Sequence, residues 1–170
     1  MVVLGIDVST NTVGYSFINE KEILDMGFID ISKNDSLKEK AFHALEVLEE
    51  NEYSKDIDRI SVEDSLSGFA GGRTRMQTII KLSKFNAVFC FVLEWALQTD
   101  VELINPNTAR KLVFGKARVK GKNAKEYVKE QIDKLYDVTE FTKMNKRGNP
   151  DRRNIDAYDA LVCALALAKK

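Results

Sequence analysis

Histidine, cysteine and proline are nearly absent from this 170-residue chain, which carries one, two and two of them. The lone His43 lies in a polar helical pattern, so a histidine–cysteine zinc centre is excluded. Any metal must be held by oxygen, which means a hard cation. Cys90 and Cys163 sit in apolar helical patterns and read as reduced core residues, not a disulfide framework. Besides Pro106 and Pro150 there is little to break the chain, and no low-complexity tract or internal repeat occurs. The most apolar run, residues 85–97, carries Asn86 and Glu94 and is too short to span a bilayer, so no membrane partner is expected. The first residues lack the basic and small-residue flanks of a signal peptide, and a cytoplasmic protein of a bacterium or a phage-infected host is expected.

Net charge is absent as well, which at first argues against a nucleic-acid partner. Its distribution argues the other way. Residues 110–153 hold 14 Lys and Arg against 6 Asp and Glu, and the remainder holds 12 against 20. Such asymmetry predicts a basic face beside an acidic one, the footprint of a phosphate backbone. A pair of solvated, Lys-rich helices is the plainer alternative.

The length fits one domain, residues 1–170, with one good core. Residues 2–6 form an apolar run without alternation and predict a strand buried on both faces, ending at Asp7. Small polar residues 9–12 turn the chain into a return strand over 13–18. A third strand is expected over 22–31, then a helix opened by Asp35 or Ser36 and running to about Glu52. Residues 57–62 are a fourth strand that runs directly into Glu63 and Asp64. A Gly-bearing segment, residues 65–75, precedes a long helix over about 74–98, whose second half is apolar almost all round. Residues 101–104 give a fifth, short strand, and helices follow over 108–114 and about 123–136. A basic, irregular stretch leads to a final helix that Asn154 is expected to cap, rich in Ala and Leu and able to pack closely on a sheet.

Two strands therefore end in acids, and the last helix carries Asp156 and Asp159 in its first turn, on one face. Each has a bland explanation alone. Asp7 could terminate its strand by accepting hydrogen bonds from the turn amides of Ser9 or Thr10. First-turn acids are favoured by the helix dipole. Together, four carboxylates near one point would repel each other and raise their own pKa values, and divalent cations relieve that repulsion. Mg²⁺ prefers a few carboxylates plus water and phosphate oxygens, and two such ions suit in-line phosphodiester hydrolysis.

Gly5-Ile6-Asp7 with Gly14-Tyr15, Glu63 after an apolar strand, and Asp156-Ala157-Tyr158-Asp159-Ala160-Leu161 resemble the RuvC-type Holliday junction resolvases of the RNase H-like superfamily. The resemblance covers nearly the whole chain in order and spacing. It implies an α/β, RNase H-like fold with a five-stranded mixed sheet flanked by helices. It also implies a homodimer that resolves four-way junctions and other branched DNA by paired nicks, with two Mg²⁺ per site and Mn²⁺ able to substitute. Asp7, Glu63, Asp156 and Asp159 become the metal-binding catalytic acids. Lys111 and Lys125 best match the basic residues near the scissile phosphate, Lys125 with a catalytic role and Lys122 as its alternative. Phe69 matches by type an aromatic wedge at the junction centre. Arg73, Arg75, Lys111, Lys116, Arg118, Lys120 and Lys122 complete the expected DNA contacts. The resemblance implies nothing about a helicase partner. The long helix is apolar beyond the single stripe a sheet would cover, through Phe85, Phe89, Val92 and Trp95. The helix as a whole, whichever of these residues the sheet takes, is therefore the expected dimer surface; a helix sandwiched within its own domain is the alternative. Gly5-Ile6-Asp7-Val8-Ser9-Thr10 also resembles the first phosphate loop of the sugar kinase and actin type, but the Asp-Gly of a second phosphate loop is missing. An RNase H or pre-ribosomal-RNA nuclease would share the acids with another substrate.

Overall fold

The computed structural model describes residues 1–64 and 76–170. Five strands form one mixed sheet: β1 (Val2–Val8), β2 (Thr12–Asn19), β3 (Glu22–Asp30), β4 (Ile57–Glu63) and β5 (Val101–Ile104), in the order β3-β2-β1-β4-β5. β1, β2 and β3 form an antiparallel meander, whereas β4 and β5 run parallel to β1. The parallel pairs need crossovers, which α1 (Leu37–Glu49) and α2 (Met76–Leu97) supply. Three more helices follow β5: α3 (Pro106–Phe114), α4 (Ala124–Leu135) and α5 (Asn154–Ala168).

Strand alternation on β1 separates two cores. Leu4, Ile6 and Val8 join the cluster that α1 and α2 cover, while Val3 joins the cluster beneath α3, α4 and α5. Gly5 and Asp7 share the parity of Val3, so both belong to the face that α5 covers. α1 begins with a reciprocal cap: the Ser36 hydroxyl accepts from the Glu39 amide while the Glu39 carboxylate accepts from the Ser36 amide. α3 begins at Pro106, two residues ahead of the expected start, because the Asn105 side chain accepts from the amides of Asn107 and Thr108. Asn154 does not cap α5. It is the first helical residue, and its amide side chain instead clasps Lys143 N and O at 3.1 and 2.8 Å.

α5 is buried at every residue from Asp156 to Leu167. It lies on the sheet at backbone contact distance, which the sequence permits by removing side chains from the strands beneath. A Cβ on Gly5 would sit 2.1 Å from the Ala160 carbonyl oxygen, and one on Gly14 would sit 2.1 Å from that of Asp156. Register places Gly5 between Ser16 of β2 and Ser61 of β4, so a row of small residues crosses the sheet under Ala160 and Ala164. Both serines are fully buried, and their hydroxyls have no hydrogen-bond partner among the described residues. They fill the row with little volume at the expense of two unsatisfied polar atoms.

α2 has the length and composition of a membrane-crossing helix. The fold uses one side of it as core: Phe85, Phe89, Val92 and Leu93 are buried, and the Phe85 and Phe89 rings stack at 5.8 Å. Of the apolar residues that mark this helix, Phe85, Phe89 and Val92 are thus taken by the sheet side, and the other side of the same helix is left uncovered. Phe91 and Trp95 are instead 68% and 63% exposed, in line with exposed Met76, Ile80 and Val88.

Adding one methyl group at Gly5 or Gly14 forces backbone against backbone. Gly5→Ala and Gly14→Ala should each lower unfolding stability by roughly 1–3 kcal/mol or more, the range for overpacked cores. Denaturant titration reads this directly, and unchanged midpoints in both variants would contradict the close seat of α5.

Candidate active site

Three elements bring four acids to one place. Asp7 lies on β1 directly across from Gly14, the residue on which the Asp156 carbonyl rests. Ile6 pairs with Val62, so the next step along β4 sets Glu63 beside Asp7. Asp156 and Asp159 follow on the first turns of α5. All four line one cavity of about 530 Å³ with Ser9, Thr10, Asn107, Arg110, Arg118 and Lys125. Asp7 does not serve as a turn cap, since the Ser9 amide and hydroxyl both close on Thr12 O, at 2.9 and 3.0 Å.

The grouping is electrostatically costly. Burial pushes the Asp7 carboxyl well above the carboxylate range, and Glu63, Asp159 and Asp156 push it further. Burial, with Asp159 as the next cause, lifts Glu63 to about 8. Asp159 is raised by burial against the opposing pull of Arg110, and Asp156 by burial against that of Lys125. These two cations are the internal counter-charges: Arg110 Nη2 lies 3.1 Å from Asp159 Oδ1, and Lys125 Nζ 3.3 Å from Asp156 Oδ1. Burial disfavours the Lys125 ammonium, yet Asp156, Asp7 and Asp159 outweigh it and hold the amine charged beyond its ordinary range.

The site gathers Asp7, Glu63, Asp156, Asp159 and Lys125 of the expected residues, with Arg118 at the rim, its Nε 3.4 Å from Asn107 Oδ1. Lys111 is exposed on α3 and does not line the cavity; its neighbour Arg110 does, from the face of α3 that also buries Pro106 and Ala109. The i, i+3, i+4 spacing of those three is the signal that could have selected Arg110. Lys116, Lys120 and Lys122 are exposed outside the cavity, and Lys122 pairs with Glu130. Phe69, Arg73 and Arg75 lie outside the described residues.

Among the described residues, no three His, Cys, Asp or Glu side chains are already closed around one point. Two of the four carboxylates are instead turned to cations. The donor set is all oxygen, buried and mutually repelling, which fits a hard dication and no softer metal.

The architecture, a five-stranded mixed sheet with an Ala-rich helix laid across its centre, is RNase H-like. Its fold is similar to those of solved Holliday junction resolvases. RuvC from Thermus thermophilus superposes with a TM-score of 0.64 at 18% identity, over 99% of this chain and 94% of that one. The same organism's RuvC in complex with a Holliday junction substrate gives 0.65 at 15% identity, over 99% and 93%. The yeast mitochondrial Holliday junction resolvase gives 0.59 at 15%, over 98% of this chain and 78% of that one. No protein-family model and no curated protein sequence matches the chain.

The raised carboxyls carry a signed consequence. Between its ordinary value near 4.5 and about 8, Glu63 binds a proton when folded that the unfolded chain releases. Stability should therefore be greatest at the acid end of that window and fall as pH rises through it. Asp7 adds in the same direction. Thermal unfolding in chelator from pH 5 to 8 should show a falling Tm, with a shallower fall in Glu63→Gln. A Tm that is flat or rising across the window in the parent protein would contradict these shifts.

Proposed function

We propose that this chain is a metal-dependent, structure-selective DNA endonuclease that resolves four-way junctions by paired nicks. The observation that carries the proposal is the convergence of Asp7, Glu63, Asp156 and Asp159 in one cavity with Arg110, Arg118 and Lys125, on a fold shared with RuvC. Carboxylates alone would repel a phosphodiester, and cations alone would only bind it. A site holding both suits a phosphate that must be bound and then attacked.

The four acids would hold Mg²⁺, two per site, with Mn²⁺ as a substitute. When bound, such ions activate water and neutralise charge on the phosphate. The chain's own residues supply the rest. Arg110 restrains Asp159 through a buried ion pair, which fixes that carboxylate's direction. Lys125 has a half-exposed side chain at the mouth of the cavity, placed to exchange Asp156 for a phosphate oxygen. Lys116, Lys120 and Lys122 extend the cationic side along the backbone of branched DNA.

A four-way junction has near two-fold symmetry, and resolution without a gap needs two symmetric nicks. A C2 dimer meets that need through one self-complementary surface. The exposed stripe Ile80, Val88, Phe91 and Trp95 on α2 is the surface we assign to it. The protein should sediment as a dimer at low micromolar concentration, and Phe91→Asp with Trp95→Glu should yield a folded monomer. A parent protein that stays monomeric both alone and on junction DNA rules out paired nicking by a dimer.

Cleavage tests the central chemistry. On a panel of four-way junction, flap, linear duplex and RNA–DNA hybrid, the parent should cut the junction in Mg²⁺ and not in chelator. Asp7→Asn should keep junction binding and lose cleavage by more than the roughly 10–100-fold typical of losing an outer-shell partner of a metal. Single losses at the four acids should not add, because the residues act as a unit. Undiminished cutting by Asp7→Asn would end the proposal. Preferential cutting of the hybrid would favour an RNase H-like nuclease of other specificity.

A further inference from the structure

The basic stretch before α5 is a built element. Asp151 N donates to Lys143 O at 2.9 Å, Asn145 N to Asn149 O at 2.8 Å, and Met144 bridges Pro150, so residues 143–151 form a short hairpin. Gly148 N closes the tip on Asn145 O at 2.9 Å, and the Asn145 side chain accepts from the amides of Arg147 and Asn149. Its base is clamped three ways. Asn154 clasps the Lys143 backbone, Arg153 pairs with Asp151 at 2.8 Å and Asp30 at 2.6 Å, and the Phe28 ring lies under Lys143 and Arg153 at 4.8 and 4.5 Å.

The charges divide by role. Arg153 is consumed by the clamp. Lys146 and Arg147, at the centre of the tip turn, are exposed and make no side-chain ion pair or hydrogen bond among the described residues. They border a shallow groove of about 450 Å³ with Asn145 and Met144. A rigid turn thus presents two free cations, with part of the ordering entropy already lost before any ligand arrives.

The sheet order fixes where this element stands. Arg153 reaches Asp30, which pairs with Thr12 in the β2–β3 register, and Thr12 closes the Ser9 turn at the cavity rim. The hairpin is therefore anchored on the β3 side of the acids. Asn107, three residues past the end of β5, and Arg118, which reaches it at 3.4 Å, form the cavity wall on the other side.

We propose that residues 143–151 are a second DNA-binding element, gripping sugar-phosphate backbone on the β3 side of the site through Lys146 and Arg147. This rests on the endonuclease reading above and adds a contact to it. Together with the loop 116–122, the hairpin would flank the acids with cations on both sides. A strand would then be held upstream and downstream of the phosphate that is cut. Contacts to phosphate carry no base preference, so the hairpin sets position and affinity, not sequence choice.

The test is equilibrium binding of the cleavage-deficient Asp7→Asn protein to a four-way junction over a series of salt concentrations, with and without Lys146→Ala and Arg147→Ala. Two lost phosphate contacts should reduce the slope of log affinity against log salt by about 1.8, at roughly 0.9 per contact. Neutralising Lys116, Lys120 and Lys122 in parallel should reduce it separately and additively. The tip is exposed and closed by backbone and Asn145, so Tm should not move. An unchanged slope in the tip variant, beside a slope that responds to the 116–122 variant, overturns the hairpin inference alone. A parent protein that binds no branched DNA overturns it together with the endonuclease reading. Loss of slope only with a fallen Tm also overturns it, because the tip would then be structural.

Discussion

The seat of α5 on the sheet is the constraint from which the site follows. A helix beside a sheet is ordinarily held off by the side chains that stand on the strands. Here Gly5 and Gly14 remove those side chains, and the helix backbone touches the strand backbone at Ala160 and Asp156. That approach places two aspartates from a helix within reach of acids on β1 and β4. With larger residues at the two glycines, Asp156 and Asp159 would be lifted away from Asp7. The Ser16–Gly5–Ser61 row extends the same accommodation across three strands, at the expense of two buried hydroxyls without partners among the described residues.

The acids themselves oppose that packing. Burial raises every one of the four carboxyls, repulsion from neighbouring acids adds to it at Asp7, Glu63 and Asp159, and Arg110 and Lys125 offset it. The two cations are not equivalent. Arg110 is buried and points to one carboxylate, whereas the Lys125 side chain is 57% exposed and reaches its partner from the rim. Arg110 therefore behaves as part of the scaffold and Lys125 as a group free to change partners. Such a site stores repulsion that a divalent cation can release, which couples ligand binding to stability.

Much of this was legible in the sequence because it rests on local patterns. Apolar runs ending in Asp7 and Glu63 marked two strand ends, and the Asp156–Asp159 spacing put both acids on one helix face. Element boundaries agreed closely where a capping residue or a turn defined them, as at Ser36, Asn123 and Val101–Ile104. What escaped was set by tertiary contact. α2 is apolar on most of its circumference, so periodicity could not say which stripe the sheet would take, and it took Phe85, Phe89 and Val92. Lys111 and Arg110 are adjacent cations, and only the packing of α3 decides which one enters the cavity. Asn154 has the composition of a cap, yet Lys143, eleven residues earlier, claims its side chain. The 143–151 hairpin reads as an irregular basic stretch because its order comes from a side-chain clamp to Phe28 and Asp30 in a distant strand.

On the proposed reading, the four carboxylates form one divalent-cation site. Calorimetric titration of the protein with Mn²⁺ near pH 7, repeated in buffers of different ionisation enthalpy, tests it most directly. Saturable binding accompanied by proton release is expected, because carboxyls such as Glu63, raised to about 8, must ionise to become ligands. Asp7→Asn should weaken that binding and change the proton count. Mn²⁺ binding that is absent from the parent, or that is indifferent both to buffer and to Asp7→Asn, would contradict it.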